Sequence, residues 1–466
     1  MFAELDRSLT AQPAAITNAE YRARQQRLFS QLRADDLLLI CAHPVSTRSN
    51  DVHFNYRNNS DMLYLCGWFD PESIMMARQV NEQWKLTLFV QSSDILSEIW
   101  EGRRPGVEGA ASKWPIDEAL PIEDAEDVIE IALQEASRVQ LRQGLNPIID
   151  DLVIGSINRR DRARQHFGKG PVALSDPSSL IAELRLRKSE SEIEQMRYSA
   201  EVSSQAHIQA MKHSKEGIGE WAIEAILECV FKYGATSGSA YPCIVGCGDN
   251  ATILHYTVND SECDSGDVLL VDAGSEYRGY AADITRSWPI SGKFTKEQAE
   301  IYQIVLDAQL AAIDQCRVGN PYNAPHEAAR QSLAQGLIDL GIITQDITEA
   351  LDEKSGQLKN WYMHNTGHWL GLDVHDVGIY KPDGEPRLFE EGMVITVEPG
   401  LYFGAWRPDV KCPDKYADLG IRIEDDVLIT SGDPDVLSSD CPKSIAEIDD
   451  DEIPERVKRI SEPFLT

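Results

Sequence analysis

The chain has 466 residues, too many for one hydrophobic core, so two domains with a sizeable buried interior are expected. Its 76 acidic residues against 44 basic ones leave a formal net charge of −32. Such a field repels nucleic acid and anionic membrane surfaces, which excludes those partners, and it also fits a surface kept soluble in a saline setting, where stability would rise with added salt.

In chain order, residues 17–20 have the form of a capping box and open an amphipathic helix with Tyr21, Leu28 and Leu32 on its apolar side. Residues 36–42 (DLLLICA) read as a buried strand, and 62–66, 73–77 and 86–90 as further strands. Helical stretches at 97–100 and 125–136 complete an α/β N-terminal domain, 1–178, closed by the Pro/Ser break at 175–179. Beyond it, Ser189 and Glu192 form a second capping box for a long helix reaching about His213. The helix Glu220–Tyr233 stops at Gly234 as a C-cap, and Thr295 with Gln298 opens another helix to about Cys316. Strands follow at 393–397 and 420–429, so the second domain, 179–466, is α+β with helices outside and a sheet inside. The tail 448–460 (IDDDEIPERVKRI) reads as a solvated, charge-rich segment.

Nine cysteines, an odd number scattered over a large chain, suit reduced thiols better than a disulfide framework. Cys243 and Cys247 lack the second pair that a zinc finger or ribbon needs. The N-terminus has no apolar signal core and no run of about eighteen apolar residues occurs, so neither secretion nor membrane spanning is indicated and a cytoplasmic location is expected.

The chemistry centres on 269–286 (LLVDAGSEYRGYAADITR), which places Asp272 at the end of a buried β-branched run and Asp283 inside the expected return strand 280–288. A carboxylate in such a place must be paired or coordinate something. Glu398 ends a second apolar strand before Pro399 and Gly400. In GIRIEDDVLIT, alternation puts Arg422 and Glu424 on one face and Ile421 and Ile423 on the other, which singles out Glu424 from Asp425 and Asp426. His368 stands in HNTGHWLGLDVHDVG, too rich in glycine for a plain helix. Two Asp, two Glu and one His form an oxygen-dominated set suited to Mn²⁺, Co²⁺ or Zn²⁺ in a two-metal site. Two ions about 3.5–4 Å apart share bridging carboxylates and activate water for hydrolysis, with no Ser or Cys nucleophile needed.

These segments, together with ILHYT (253–257), VITVEPGLY (394–402), and RSNDVHFNYRNNSDMLYLCGW and EIWEGRR in the N-terminal domain, resemble aminopeptidase P in the "pita-bread" metallopeptidase family that also holds prolidase. The resemblance implies two divalent ions, Mn²⁺ foremost, bridged by Asp283 and Glu424, with Asp272 on one ion and His368 and Glu398 on the other. It further implies that Glu398 is the acid/base for the attacking hydroxide and that His375 and His255 lie in the substrate pocket. Arg422 would orient a carboxylate, Arg387 and Tyr402 are further pocket candidates, and Trp100 resembles an aromatic that reaches the active site of a neighbouring subunit in a dimer or tetramer. His364 precedes His368 by four and is set aside as a ligand; Asn365 stands where many relatives have Gly, which affects local backbone shape. The expected activity is release of an N-terminal residue from peptides with proline second. The alternatives are a prolidase acting on Xaa-Pro dipeptides, with a side activity on phosphate esters, and a metal-free binding module.

Overall fold

The computed structural model describes residues 1–162 and 170–449, so most of the charged tail lies outside the described residues. Its contacts divide it into two units: Ala15–Arg185, and a second formed by Met1–Ala14 with the chain from Leu186 onward. The helix Ser178–Arg185 belongs to the first unit, which therefore runs beyond the Pro/Ser break.

The first unit is built on a six-stranded sheet in the order Glu118–Pro121, Gln83–Val90, Ile74–Val80, Asp36–Cys41, Arg138–Leu141, Ala173–Ser175. All pairs are parallel except the two made by Ile74–Val80. Asp36–Cys41 is buried throughout, as its unbroken apolar run requires. Its Leu37 and Leu39 share a core with Phe89, Val139, and Ile129 and Leu133 of the helix Ala125–Glu135.

Residues 62–66 are helix rather than the expected strand. The helix Ser60–Cys66 starts on Asn59, whose side chain accepts from Asp61 N at 2.9 Å, and stops at Gly67 with φ 64°. All seven of its residues are buried, so no polar face exists to show a period in the sequence. Near the N-terminus the helix capped by Thr17 spans Asn18–Phe29, and Leu32 falls in the turn after it.

In the second unit the helices Glu190–His213 and Lys296–Asp314 begin with complete capping boxes at Ser189 and Thr295. Gly234 ends Glu220–Tyr233 with φ −71°, so it is not a left-handed cap; a Cβ there would lie 2.7 Å from Val202. Short antiparallel sheets lie inside. One sets Val268–Asp272 between Thr285–Pro289 and Ile244–Cys247, another pairs Val394–Val397 with Asp425–Leu428, and a third Gly400–Phe403 with Leu419–Arg422.

The strands expected at 280–288 and 420–429 are interrupted, each at a carboxylate, and a third carboxylate fills the gap that follows the strand expected at 393–397. Asp283 lies between Tyr280–Ala281 and Thr285–Pro289, Glu424 between Leu419–Arg422 and Asp425–Leu428, and Glu398 between Val394–Val397 and Gly400–Phe403. The chain changes sheet partners at the Glu398 and Glu424 gaps. Other groups hold the freed backbone: Glu424 N donates to Thr285 O at 3.0 Å, Glu398 N to Thr366 O at 2.7 Å, and Asp283 N to the Asp426 carboxylate at 3.2 Å. Close approach completes the arrangement, since a Cβ on Gly274 would lie 1.7 Å from Ala282 O and one on Gly367 1.9 Å from Thr396 O.

Candidate metal centre

Asp283, His368 and Glu424 each offer a ligand atom, all within 4.8 Å of one another. His368 Nε2 lies 3.4 Å from Asp283 Oδ2 and 3.6 Å from Glu398 Oε1. Asp272 joins through Tyr241, whose hydroxyl is 2.6 Å from both Asp272 Oδ1 and Asp283 Oδ1. One hydroxyl proton cannot serve two carboxylates, so one of these contacts sets lone pair against lone pair until a proton or a cation intervenes. All five residues expected as ligands line one cavity, and three of them, Asp283, His368 and Glu424, bring ligand atoms together.

The electrostatics have the same cause throughout: several carboxylates share a dry site with one guanidinium. Burial first, and then Asp283 and the other carboxylates, push Glu424 well above the usual range. Burial likewise raises Asp272, against the pull of Arg422, and lifts Glu398 to about 7. Burial opposes charge on His368, but the hydrogen bond and charge of Asp283 override it and raise the imidazole to about 9. Asp283, despite burial, is held low by His368. The carboxylates outnumber the cationic groups Arg422 and His368, and the oxygen-rich donors with one imidazole fit divalent cations. The tautomer fits as well: His368 Nδ1 donates to Trp369 O at 3.0 Å, which leaves Nε2 as the ligand atom.

Arg422, 3% exposed, donates from Nη2 to Asp272 Oδ2 at 2.6 Å, from Nε to Thr285 Oγ1 at 3.1 Å and from Nη1 to Tyr402 Oη at 3.2 Å. Thr285 Oγ1 donates onward to Glu424 Oε2 at 2.6 Å. Thr285→Val, which keeps the shape and removes both bonds, is expected to weaken metal affinity about 10–100-fold without unfolding the protein, as read by isothermal titration with Mn²⁺.

A cavity of about 670 Å³ opens over these groups, and His255, His364 and His375 line it. The His375 ring stands edge-on to His368 with centroids 4.3 Å apart. His364 Nδ1 donates to Asn365 O at 2.8 Å, so its Nε2 accepts from Tyr402 Oη at 2.8 Å. Burial first, then Arg422, holds the His364 imidazole down to about 3, hence neutral. Asn365 takes no positive φ, so a side chain replaces glycine there without backbone strain. Tyr402, expected in the pocket, is not among the lining residues; it links Arg422 to His364. Arg387, expected as a pocket residue, does not line the cavity: the residue is 9% exposed and its Nε donates to Ile379 O at 2.7 Å. Trp100 belongs to the other unit, 87% exposed on the helix Ile95–Glu101.

Sequence reasoning missed Tyr241 and Thr285, which occupy a loop and a strand position with no spacing signal, and it set aside Asp426, which accepts from Asp283 N. It set His364 aside although the shared HNTGH segment placed it beside His368.

Residues 194–431 match the model of metallopeptidase family M24, and residues 21–141 match the aminopeptidase P N-terminal domain. The chain is 36% identical over 435 residues to the Xaa-Pro aminopeptidase of Escherichia coli (strain K12), covering 93% of this chain and 97% of that one. The solved structure of aminopeptidase PepP from Pseudomonas aeruginosa superposes with a TM-score of 0.88 at 40% identity, covering 93% of this chain and 97% of that one. A zinc-substituted E. coli aminopeptidase P in complex with product gives 0.87 at 35%, covering 93% and 98%. The chain belongs to metallopeptidase family M24, and its fold is the aminopeptidase P N-terminal domain followed by the α+β pita-bread catalytic domain. Among the described residues no helix is long and apolar enough to cross a membrane.

Proposed function

We propose that this chain is a cytoplasmic Xaa-Pro aminopeptidase, a hydrolase using two divalent ions, Mn²⁺ foremost, to release the N-terminal residue from peptides with proline second. The observation that carries the proposal is the convergence of the expected ligand residues Asp272, Asp283, His368, Glu398 and Glu424 on one cavity that His255 and His375 also line. Pro242, Ile244, Leu254, Val374 and Tyr380 give the same cavity an apolar wall suited to a pyrrolidine ring. Proline has no N–H and a fixed φ, so recognition must come from shape rather than from a main-chain ladder.

The ions, when bound, would lower the pKa of water and polarise the scissile carbonyl. Asp272, Asp283, His368, Glu398 and Glu424 would hold them, with Arg422 and Thr285 fixing the carboxylate angles. Glu398 would accept the proton of the attacking water and deliver it to the proline nitrogen as the C–N bond breaks. Beside divalent cations Glu398 would be favoured in its ionised form, the form a base requires. His375 would donate to the carbonyl oxygen as negative charge develops there, where a fixed donor acts most strongly, and His255 would contact the substrate or assist proton transfer.

The N-terminal domain, built on Ala15–Arg185, would limit substrate length and build a homo-oligomer. Ile95, Leu96, Ile99 and Trp100 are each more than 70% exposed on one short helix. Burial against a second copy would remove that apolar face from water.

The test is hydrolysis of an Xaa-Pro dipeptide and an Xaa-Pro-Xaa tripeptide by Mn²⁺-loaded protein, with the oligomer mass measured by light scattering on the same sample. Faster cleavage of the tripeptide at the Xaa-Pro bond is expected. Cleavage of the dipeptide alone would make the protein a prolidase, and silence on both would return it to the binding modules.

A further inference from the structure

Glu220 opens the helix Glu220–Tyr233 and is 0% exposed. A buried carboxylate is costly unless its lone pairs are filled, and here they are filled without any cation. Oε1 accepts from Cys247 N at 2.9 Å and Asn250 Nδ2 at 3.0 Å, with Cys247 Sγ at 3.3 Å. Oε2 accepts from Tyr256 Oη at 2.9 Å and Ser261 N at 2.9 Å, while Glu220 N donates to Ser261 O at 2.9 Å. Every one of these partners belongs to the single stretch 247–261, and they flank His255 on both sides.

His255 has little else to hold it. Residues 253–261 form neither helix nor strand, and Ile253, His255, Thr257 and Val258 are exposed. The stretch is pinned by two buried residues after the histidine. Asn259 accepts from Val245 N at 3.1 Å and donates to Cys243 O at 2.9 Å. Tyr256, next in the chain after His255, packs its ring with Ile244, Ala251, Leu270 and Tyr402 and ends its hydroxyl on Glu220. Asn250 Nδ2 braces that hydroxyl at 3.0 Å. The path from the buried carboxylate to the cavity-lining imidazole is therefore one residue long.

We propose that Glu220 is a positioning residue for the peptidase reaction, fixing the 247–261 stretch from beneath so that His255 presents its imidazole to the substrate. The inference rests on His255 acting at the substrate, as proposed above. Only a carboxylate satisfies this network. Aspartate falls a methylene short, and the glutamine NH₂ would face a backbone N–H, leaving buried donors unpaired. The Tyr256 hydroxyl would then turn to its other neighbour, Asp260 Oδ1 at 3.1 Å, carrying His255 with it.

The experiment is a double-mutant cycle on an Xaa-Pro-Xaa tripeptide with Mn²⁺-loaded protein. It uses His255→Ala, Glu220→Gln, Tyr256→Phe and each of the latter two combined with His255→Ala. Bound metal is measured in every variant. His255→Ala is expected to lower kcat/KM about 100-fold. Glu220→Gln should lower it about tenfold and Tyr256→Phe about threefold, in kcat more than in KM, with metal stoichiometry unchanged. In the His255→Ala background both effects should vanish, because a positioning residue has nothing left to position. Multiplicative losses in that background, or a Glu220→Gln loss that follows lost metal, would overturn the role of Glu220 alone. A neutral His255→Ala would overturn that role together with the function given to His255. If Glu220→Gln does not fold, the Tyr256→Phe cycle decides the question by itself.

Discussion

Asp283→Ala should lower kcat/KM by about 10³-fold, with loss of bound metal and little change in the fold. The side chain stands where the cluster is tightest, with Tyr241 at 2.6 Å from Oδ1 and His368 at 3.4 Å from Oδ2. Its backbone N–H, by contrast, is held by Asp426 and survives the substitution. Losing metal-assisted stabilisation of about 4 kcal/mol, at 1.36 kcal/mol per tenfold, gives the stated loss. The metal-free variant should unfold within about 1 kcal/mol of the metal-free parent, since the lost His368 contact is offset by relief of repulsion from Asp272 and Glu424. The difference should open on adding Mn²⁺: a ligand at about 100 times its Kd protects the parent by about 2.7 kcal/mol, and the variant should gain far less. Equal protection of both proteins in a thermal melt would remove Asp283 from the ligand set.

The contrast between what the sequence disclosed and what it concealed follows from where the carboxylates sit. Asp272 was legible because it ends an uninterrupted buried strand, Val268–Asp272. Asp283 and Glu424 were legible as residues but not as breaks, because the apolar pattern continues across each gap and only tertiary partners decide where a ladder stops. The capping boxes at Ser189 and Thr295 worked because each is a local bargain between two side chains and the backbone nearby. The helix Ser60–Cys66 misled because complete burial erases periodicity, and Gly234 because its need is room beside Val202 rather than a left-handed turn. Tyr241 and Thr285 carry no signal of their own: a tyrosine in a loop and a threonine in a strand become part of the centre only when the fold brings carboxylates against them.

The other large effect should come from Arg422→Met, and its sign should depend on the metal. The guanidinium is the cation that compensates Asp272 and also the donor that places Tyr402, and through it His364. Methionine fills similar space with no charge, so in the metal-free protein Asp272 is left buried beside Asp283 without its partner. Breaking a buried pair in this way costs about 3 kcal/mol or more. With Mn²⁺ bound, the ions supply the missing positive charge and the destabilisation should shrink, although kcat/KM should remain about 100-fold down because the carboxylate and Tyr402 lose their orientation. Arg422→Lys should restore part of the stability but little of the activity, since an ammonium cannot serve Asp272, Thr285 and Tyr402 at once from one rigid fork. Urea midpoints measured with and without Mn²⁺ separate the alternatives. A destabilisation equal in both states would mean that Arg422 acts by filling space; one larger without metal means that its charge stands in for the cations the carboxylates are built to hold.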